Sequence, residues 1–295
     1  MSAFFLAKKA AADRVSLTHP LGLRFLDVAT NGFVPADVAI EPLQRESLGL
    51  EAEAWPLGAP RQKRTGIVTP SGAVAFHGFA GLRDFERSEE DDIWNSQPPA
   101  RDFQVEVSDK MGRFLPCTFV VSAPQRGFAL FAEDGSPPWI EAGAVPLFSA
   151  VSRSFPAGLA VVRAELHDHA TGDPAAWALM EASYFSAGSR HTARGLADDK
   201  GRVLLMFYYP EGQRRAFNSS PPGSARGLSQ QEWTLDVGFF YESADHPEKA
   251  ADYGRRFAQP PAIAWRGSSP VTLLKDATVR FGQELDLGIL DLVPA

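Results

Sequence analysis

The sequence predicts an all-β protein of two tandem, antiparallel β-sandwiches with long loops. Glycine and proline number 25 and 23 among 295 residues, with 21 phenylalanines, which is typical of many short strands separated by turns. Gly66–Leu82 combines an alternating strand with turn-forming residues, and Gly195–Leu205 is an imperfect copy of it. The chain is also longer than one sandwich requires, which favours two domains.

Strand signals recur in the same order along the chain. Three pairs of positions carry the repeat: Asp27 with Asp168, Gly66 with Gly195, and Phe103 with Trp233. The first pair is separated by 141 residues and the other two by 129 and 130. One insertion before Gly66 in the first copy accounts for the difference, and that region is rich in proline and irregular in pattern. The sequence therefore predicts an internal duplication.

Composition shifts divide the chain into five predicted parts. A proline-rich stretch around Gly135-Ser136-Pro137-Pro138 predicts a linker, and Asp245–Phe257 favours a short helix that ends before Pro260-Pro261. The predicted parts are an N-terminal arm at residues 1–20, a first sandwich at 21–125, a linker at 126–157, a second sandwich at 158–275 and a C-terminal strand or arm at 276–295.

Charge and cysteine content exclude several classes of function. With 29 basic and 36 acidic residues the formal charge is −7, which argues against a nucleic-acid partner. The single Cys117 excludes an internal disulfide and a cysteine-based metal site.

We expect no membrane insertion, because no apolar run has the length of a span. The start lacks the apolar core of a signal peptide, so we expect a cytoplasmic protein, or one released later as part of an extracellular particle.

The repeated turns resemble those of a known fold family. The second copy contains Asp168-His169-Ala170-Thr171-Gly172-Asp173-Pro174 and then Ala197–Val203, while the first contains Thr69–Phe76 followed by Gly81. These segments resemble the transthyretin-like β-sandwich family, which includes carboxypeptidase regulatory-like and Cna-B-type domains. The resemblance implies two transthyretin- or immunoglobulin-like sandwiches and no reaction. The second copy has Tyr208–Gly212 where the family pattern ends in Leu-x-x-Gly.

A second resemblance concerns the chain as a whole. Its residues are Arg24-Phe25-x-Asp27, Gly81–Glu86, Gly112–Pro116 and Gly195–Val203. Together they are similar to segments of accessory proteins in phage-tail-like contractile injection systems. This similarity implies a structural part of a tail or baseplate, whose partners would be other protein subunits or further copies of the chain.

Few residues in the sequence suggest chemistry. His167 and His169 are two apart on a predicted strand and would share a face, as metal ligands can. No third ligand is indicated, and the intervening Asp168 is explained by its turn. No Gly-x-Ser-x-Gly elbow or glycine-rich phosphate loop occurs. We therefore predict no enzyme activity, no cofactor and no metal, although a hydrolase on a β-sandwich remains a weaker alternative.

The sequence also indicates surfaces for partners. An acidic run lacks the spaced oxygens and glycine of a calcium loop, so we interpret it as solvated or partner-facing. The predicted partner-binding residues are Trp55, Glu89, Glu90, Asp91, Asp92, Trp94, Phe281, Leu285 and Leu287. The leading hypothesis is a non-enzymatic structural or assembly protein. The alternative is a carbohydrate-binding or adhesive module, in which exposed tryptophan rings stack on a glycan.

Overall fold

In the part of the chain that the structure describes, almost all regular structure is β-strand, as predicted. The structure, a computed structural model, describes residues 21–34, 49–69, 73–77, 79, 101–123, 144–155, 158–186, 188–210, 231–243, 249–267, 269–271 and 274–294. Among these residues the helices are a 3₁₀ turn at Pro60–Gln62 and the four-residue α1 at Tyr253–Arg256. None of the helices in the described part of the chain is long and apolar enough to cross a membrane. The predicted N-terminal arm lies outside the described residues.

The strands described in the first unit, residues 21–155, form two sheets. One has the order β2-β1-β6-β5 with β9 also paired to β1, and the other contains β4-β3-β7-β8. Its strands are β1 Leu21–Asp27, β2 Gly32–Phe33, β3 Leu50–Pro56, β4 Arg64–Thr65, β5 Ile67–Val68, β6 Val74–Phe76, β7 Arg101–Asp109, β8 Cys117–Ala123 and β9 Ala144–Leu147. The predicted hairpin after Gly66 is confirmed, because β5 and β6 are antiparallel with Val68 opposite Val74.

The described residues of the second unit, which spans 158–294, form one nine-stranded sheet. β14 is the branch point of this sheet, because it pairs with β11, with β18 along most of its length and with β16 at its end. The strands are β10 Leu159–Asp168, β11 Leu179–Ser186, β12 Ser189–Leu196, β13 Arg202–Tyr208, β14 Glu232–Phe240, β16 Pro261–Arg266, β17 Ser269–Val271, β18 Leu274–Arg280 and β19 Glu284–Pro294. A further strand, β15 at Ala251–Asp252, leaves this unit and is described below.

The duplication extends to the pairing of the strands. β1 pairs antiparallel with β6 and parallel with β9, and β10 pairs in the same way with β13 and β19. Asp27 lies opposite Leu147 in the first unit, and Asp168 lies opposite Leu292 in the second. The segment predicted as a linker therefore contains β9, the counterpart of the C-terminal strand β19. We expected antiparallel sandwiches, and the sheets contain these two parallel pairs in addition to their antiparallel ones. The predicted domain boundaries stay a prediction.

Gly66 and Gly195 occupy the same place in the two units. A Cβ atom on Gly66 would overlap Cγ1 of Val74 and lie 3.0 Å from Cε1 of Phe76. A Cβ atom on Gly195 would lie 2.9 Å from Cβ of Leu205 and 3.1 Å from Cγ2 of Val203. Each glycine thus allows the chain to cross closely over the same two positions of the following strand. This explains why both copies of the motif begin with glycine.

Replacing Gly66 with alanine should lower the free energy of unfolding by about 1–3 kcal/mol, because the added methyl group overlaps Val74. Urea denaturation of the purified variant measures the change. The matched control is Gly158→Ala, where a Cβ would meet no atom within 4 Å, so a change within about 0.5 kcal/mol is expected. Equal stability of the two variants would contradict the crossing geometry.

An insertion in the second unit connects it to the first. The first unit joins β7 to β8 by a short turn, whereas residues 241–273 separate β14 from β18. Within this insertion, β15 pairs in parallel with β8, with Ala251 opposite Cys117. We call residues 251–257 the latch segment. It adds a strand to the sheet of the first unit, so the two units are joined by backbone hydrogen bonds as well as by side chains.

Tyr253 is the central side chain of the latch segment and is fully buried. Its ring centroid lies 6.1 Å from that of Phe119 and 6.0 Å from that of Phe148, both in the first unit. Its hydroxyl donates a hydrogen bond to the carbonyl oxygen of Pro146 at 2.7 Å. The hydrophobic core of the first unit consequently continues into the second, where it includes Trp177, Leu179 and Leu196.

Candidate interaction site

The paired aspartates at the ends of β1 and β10 hold turns. Asp27 accepts hydrogen bonds from the Ala29 amide and the Thr30 hydroxyl, each at 3.0 Å. Asp168 accepts one from the Ala170 amide at 2.8 Å and one from the Tyr241 hydroxyl at 3.0 Å. Burial alone would raise the pKa of Asp168, but hydrogen bonds from side chains and backbone amides outweigh it and lower the pKa. Both carboxylates are therefore structural.

The two histidines beside Asp168 have separate partners. Nε2 of His167 lies 2.9 Å from Oε1 of Glu165, while the ring of His169 stacks on Trp265 at 5.2 Å between centroids. Within the described residues, no group of three or more His, Cys, Asp and Glu side chains could hold a metal ion. The structure therefore does not combine His167 and His169 with a third ligand of these types.

Several predicted partner-binding residues lie outside the described residues, namely Glu89, Glu90, Asp91, Asp92 and Trp94. Trp55 is described and is half-buried on β3, with Nζ of Lys63 5.0 Å from its ring centroid. Hydrogen bonding to Glu53 is the main cause that raises the pKa of Lys63, assisted by Glu106. Trp55 is thus a partly exposed ring beside a charged cluster, and its partner-binding role stays a prediction.

The predicted residues of the C-terminal segment differ in exposure. Phe281 is partly exposed, and its ring centroid lies 4.8 Å from that of Tyr209 at one end of the second unit. Leu285 packs partly buried against the second core. Leu287 is only 7% exposed and belongs to that core. Its side chain offers less surface to a partner than those of Phe281 and Leu285, and the partner-binding role of all three stays a prediction.

The first unit has an exposed apolar edge that sequence reasoning missed. Among the strands that the structure describes, β5 is the outermost of its sheet, and Ile67 and Val68 are 62% and 41% exposed. The residues that follow the equivalent Gly195 are Leu196 and Ala197, and both are 0% exposed. Leu196 pairs with Leu179 of β11 and belongs to the core that also contains the latch residue Tyr253, and the Ala197 amide donates a hydrogen bond to the Ala178 carbonyl. We call Ile67 and Val68 the open edge.

Comparisons with known proteins assign no family. No protein-family model matches the chain, and no curated protein is significantly similar to it. Among solved structures, the shaft pilin SpaA of Lactobacillus rhamnosus GG aligns over 94% of this chain and 98% of its own, with 9% identity and a TM-score of 0.21. A putative adhesin of Bacteroides ovatus ATCC 8483 aligns over 77% and 80%, with 8% identity and a TM-score of 0.19.

A 9R-lipoxygenase of Cyanothece PCC8801 also aligns, over 48% of this chain, with 16% identity and a TM-score of 0.22. The aligned part spans only 17% of the lipoxygenase chain. At these TM-scores and identities none of the three likenesses establishes a shared function. The prediction that the chain is not an enzyme therefore stays a prediction.

Proposed function

We propose that this protein is a non-enzymatic structural subunit of a larger assembly, and that a β-strand of a neighbouring protein subunit adds to its open edge. The observation that carries the proposal is the contrast between two equivalent positions. Ile67 is 62% exposed in the first unit, whereas Leu196 is fully buried in the second. In the second copy of the fold, the position equivalent to Ile67 is thus shielded from solvent.

The physical argument concerns the unprotected edge of a sheet. An outermost strand presents backbone donors and acceptors that another strand can pair with, and proteins usually protect such edges with charge or proline. Among the described residues, the outward side chains of β5 are two branched apolar ones, Ile67 and Val68. Strand addition would satisfy the backbone, and side chains of the added strand would cover part of Ile67 on one face of the sheet and part of Val68 on the other. The open edge therefore fits a protein partner.

The double variant Ile67→Lys/Val68→Lys should lose the assembly while remaining folded. Size-exclusion chromatography with light scattering, on protein purified from its native host together with its partners, should show a stoichiometric complex for the wild type. We expect affinity for the partner subunit to fall at least about tenfold in the variant, because two charges replace buried apolar groups.

The matched control is Ile289→Lys. Ile289 is 60% exposed, close to the 62% of Ile67, but it lies on β19, an inner strand that pairs with β10 at Ile289 itself and with β16 further along, at residues 291–294. This variant should assemble like the wild type. A double variant that assembles normally, or a wild type that is a lone monomer in its native host, would overturn the proposal.

The finer identity of the assembly rests on sequence alone. The segments Arg24–Asp27 and Gly112–Pro116, among others, support a phage-tail-like contractile injection system, and the turn motifs support tandem transthyretin-like domains. Sheath or tube genes beside the gene for this chain would support the first of these; a setting without them would argue against it. A cytoplasmic location, or release within a particle, stays a prediction.

A second candidate function is a carbohydrate-binding or adhesive module. It is favoured by a groove on the outer face of the second unit, which is separate from the open edge. The groove supports a specific inference about its ligand.

A further inference from the structure

A groove crosses the outer face of the second unit where β11 and β14 meet β16. It encloses about 200 Å³ and is open on one side. Its polar lining comes from Glu181, Ser183, Arg190 and Asp236. The register places Gly238 opposite Glu181, and because glycine has no side chain the floor between the two strands stays open. The volume is below that of most drug-sized sites, so it suits one small ring.

Two of these four polar side chains already have hydrogen-bond partners in the protein, and the other two can bind a ligand. Nε of Arg194 donates a hydrogen bond to Glu181, and the hydroxyls of Ser183 and Thr192 lie 3.1 Å apart. Within the described residues, neither Asp236 nor Arg190 has a side-chain hydrogen bond or ion pair. The groove therefore offers one free acceptor group and one free donor group to a ligand.

The rest of the lining is apolar. Phe240 and Ile263 are both partly exposed, and Pro261 and Ala262 lie beside them on β16. The groove thus places an apolar wall next to a free carboxylate and a free guanidinium. This combination fits a ligand with an apolar face and several hydroxyl groups.

Charge selects among ligands of that kind. The two carboxylates of Glu181 and Asp236 oppose an anion, and the guanidinium of Arg190 opposes a cation. With Arg194 bound to Glu181, the charges of the groove cancel. A neutral ligand encounters neither repulsion, and its hydroxyls can donate to Asp236 and accept from Arg190. A lysine side chain from a protein partner is disfavoured because Arg190 lies in the same groove.

We propose that this groove binds one ring of a neutral saccharide, with Asp236 accepting hydrogen bonds from its hydroxyls, Arg190 donating to its oxygens, and Phe240 and Ile263 contacting its C–H face. The inference deepens the second candidate function, because it names the ligand class of an adhesive module. It does not depend on the open edge, which belongs to the other unit.

The test is titration of the full chain with methyl glycosides of glucose, galactose, mannose and N-acetylglucosamine, followed by amide chemical shifts. At least one glycoside should change the amide chemical shifts of Gly238 and Ile263. Asp236→Asn and Arg190→Gln should each weaken that binding by about tenfold or more, because each removes a hydrogen bond to a charged group. Asp199→Asn, an exposed carboxylate in a distant turn, should bind like the wild type.

The outcomes separate the alternatives. Shifts that map outside the groove, unchanged affinity of both groove variants, or no glycoside binding at all would overturn the proposal. Shifts at Gly238 and Ile263 caused by a lysine-containing peptide and by no glycoside would assign the groove to a protein partner instead. The shifts of unliganded Asp236→Asn, which should match the wild type outside the groove, exclude misfolding. Light scattering of the same variant should show an unchanged assembly. If the groove binds no saccharide, the proposal that a partner strand adds to the open edge is therefore unaffected.

Discussion

Replacing Tyr253 with alanine should lower the free energy of unfolding by about 3–5 kcal/mol, the range for removing a buried aromatic side chain. Tyr253 is fully buried and contacts Phe119 and Phe148 of the first unit and Phe257 of its own segment. Removal also leaves the carbonyl of Pro146 without the hydroxyl donor it now has. The loss is large because one side chain fills the core that both units share.

Urea denaturation of the Tyr253→Ala variant measures the change, and Tyr208→Ala is the matched control. Tyr208 is 57% exposed, so its removal should cost no more than about 0.5 kcal/mol. Reactivity of Cys117 with a thiol reagent gives a second readout. Burial raises the pKa of that thiol to about 12, although its contact with Tyr253 partly lowers it, so the native protein should not react at pH 8. A Tyr253→Ala variant as stable and unreactive as Tyr208→Ala would contradict the shared core.

Replacing Asp27 with alanine should destabilise the protein by about 3–5 kcal/mol, because it breaks a largely buried ion pair and a turn together. Arg153 donates two hydrogen bonds to the Asp27 carboxylate, at 2.9 and 2.6 Å. The side chains of Arg153 and Asp27 are only 14% and 9% exposed. The variant leaves the guanidinium without its carboxylate and the amide of Ala29 without its acceptor.

A double-mutant cycle with Arg153→Ala separates the ion pair from the turn. We expect a coupling energy of at least about 1.5 kcal/mol between Asp27 and Arg153. The control pair is Lys110 with Glu51, whose side chains are 68% and 47% exposed, and its coupling should not exceed about 1 kcal/mol. Similar coupling in the two pairs would show that the Asp27 pair does not tie β1 to the segment after β9.

The sequence allowed the duplication to be predicted because turn chemistry is local. Backbone geometry requires an aspartate at the ends of β1 and β10. It also requires a glycine at two equivalent positions, just before β5 and next to the last residue of β12. These residues therefore recur in both copies. The short helix after Asp245 was also predicted, and α1 lies within that segment and ends before Pro260. These features depend on neighbours within a few residues.

Features that depend on distant contacts could not be predicted. The parallel partners β9 and β19 have no local signal that distinguishes them from a linker or an arm. β15 has only two residues, too few for an alternating pattern. Ile67 is exposed and Leu196 is buried although both follow equivalent motifs, so their difference depends on distant contacts: Leu196 pairs with Leu179 of β11 and belongs to a core that extends over both units. Leu287 was predicted to bind a partner because an apolar tail segment resembles an apolar core strand.

Hydrogen exchange at the two equivalent positions tests the central claim most directly. In the free protein the amides of Ile67 and Val68 should exchange faster than those of Leu196 and Ala197, because the open edge is exposed and its counterpart is covered. In the assembled particle the amides of Ile67 and Val68 should become protected, while those of Leu196 and Ala197 stay unchanged. Equal protection of Ile67 and Val68 in the free and assembled protein would contradict the proposal that subunits join at this edge.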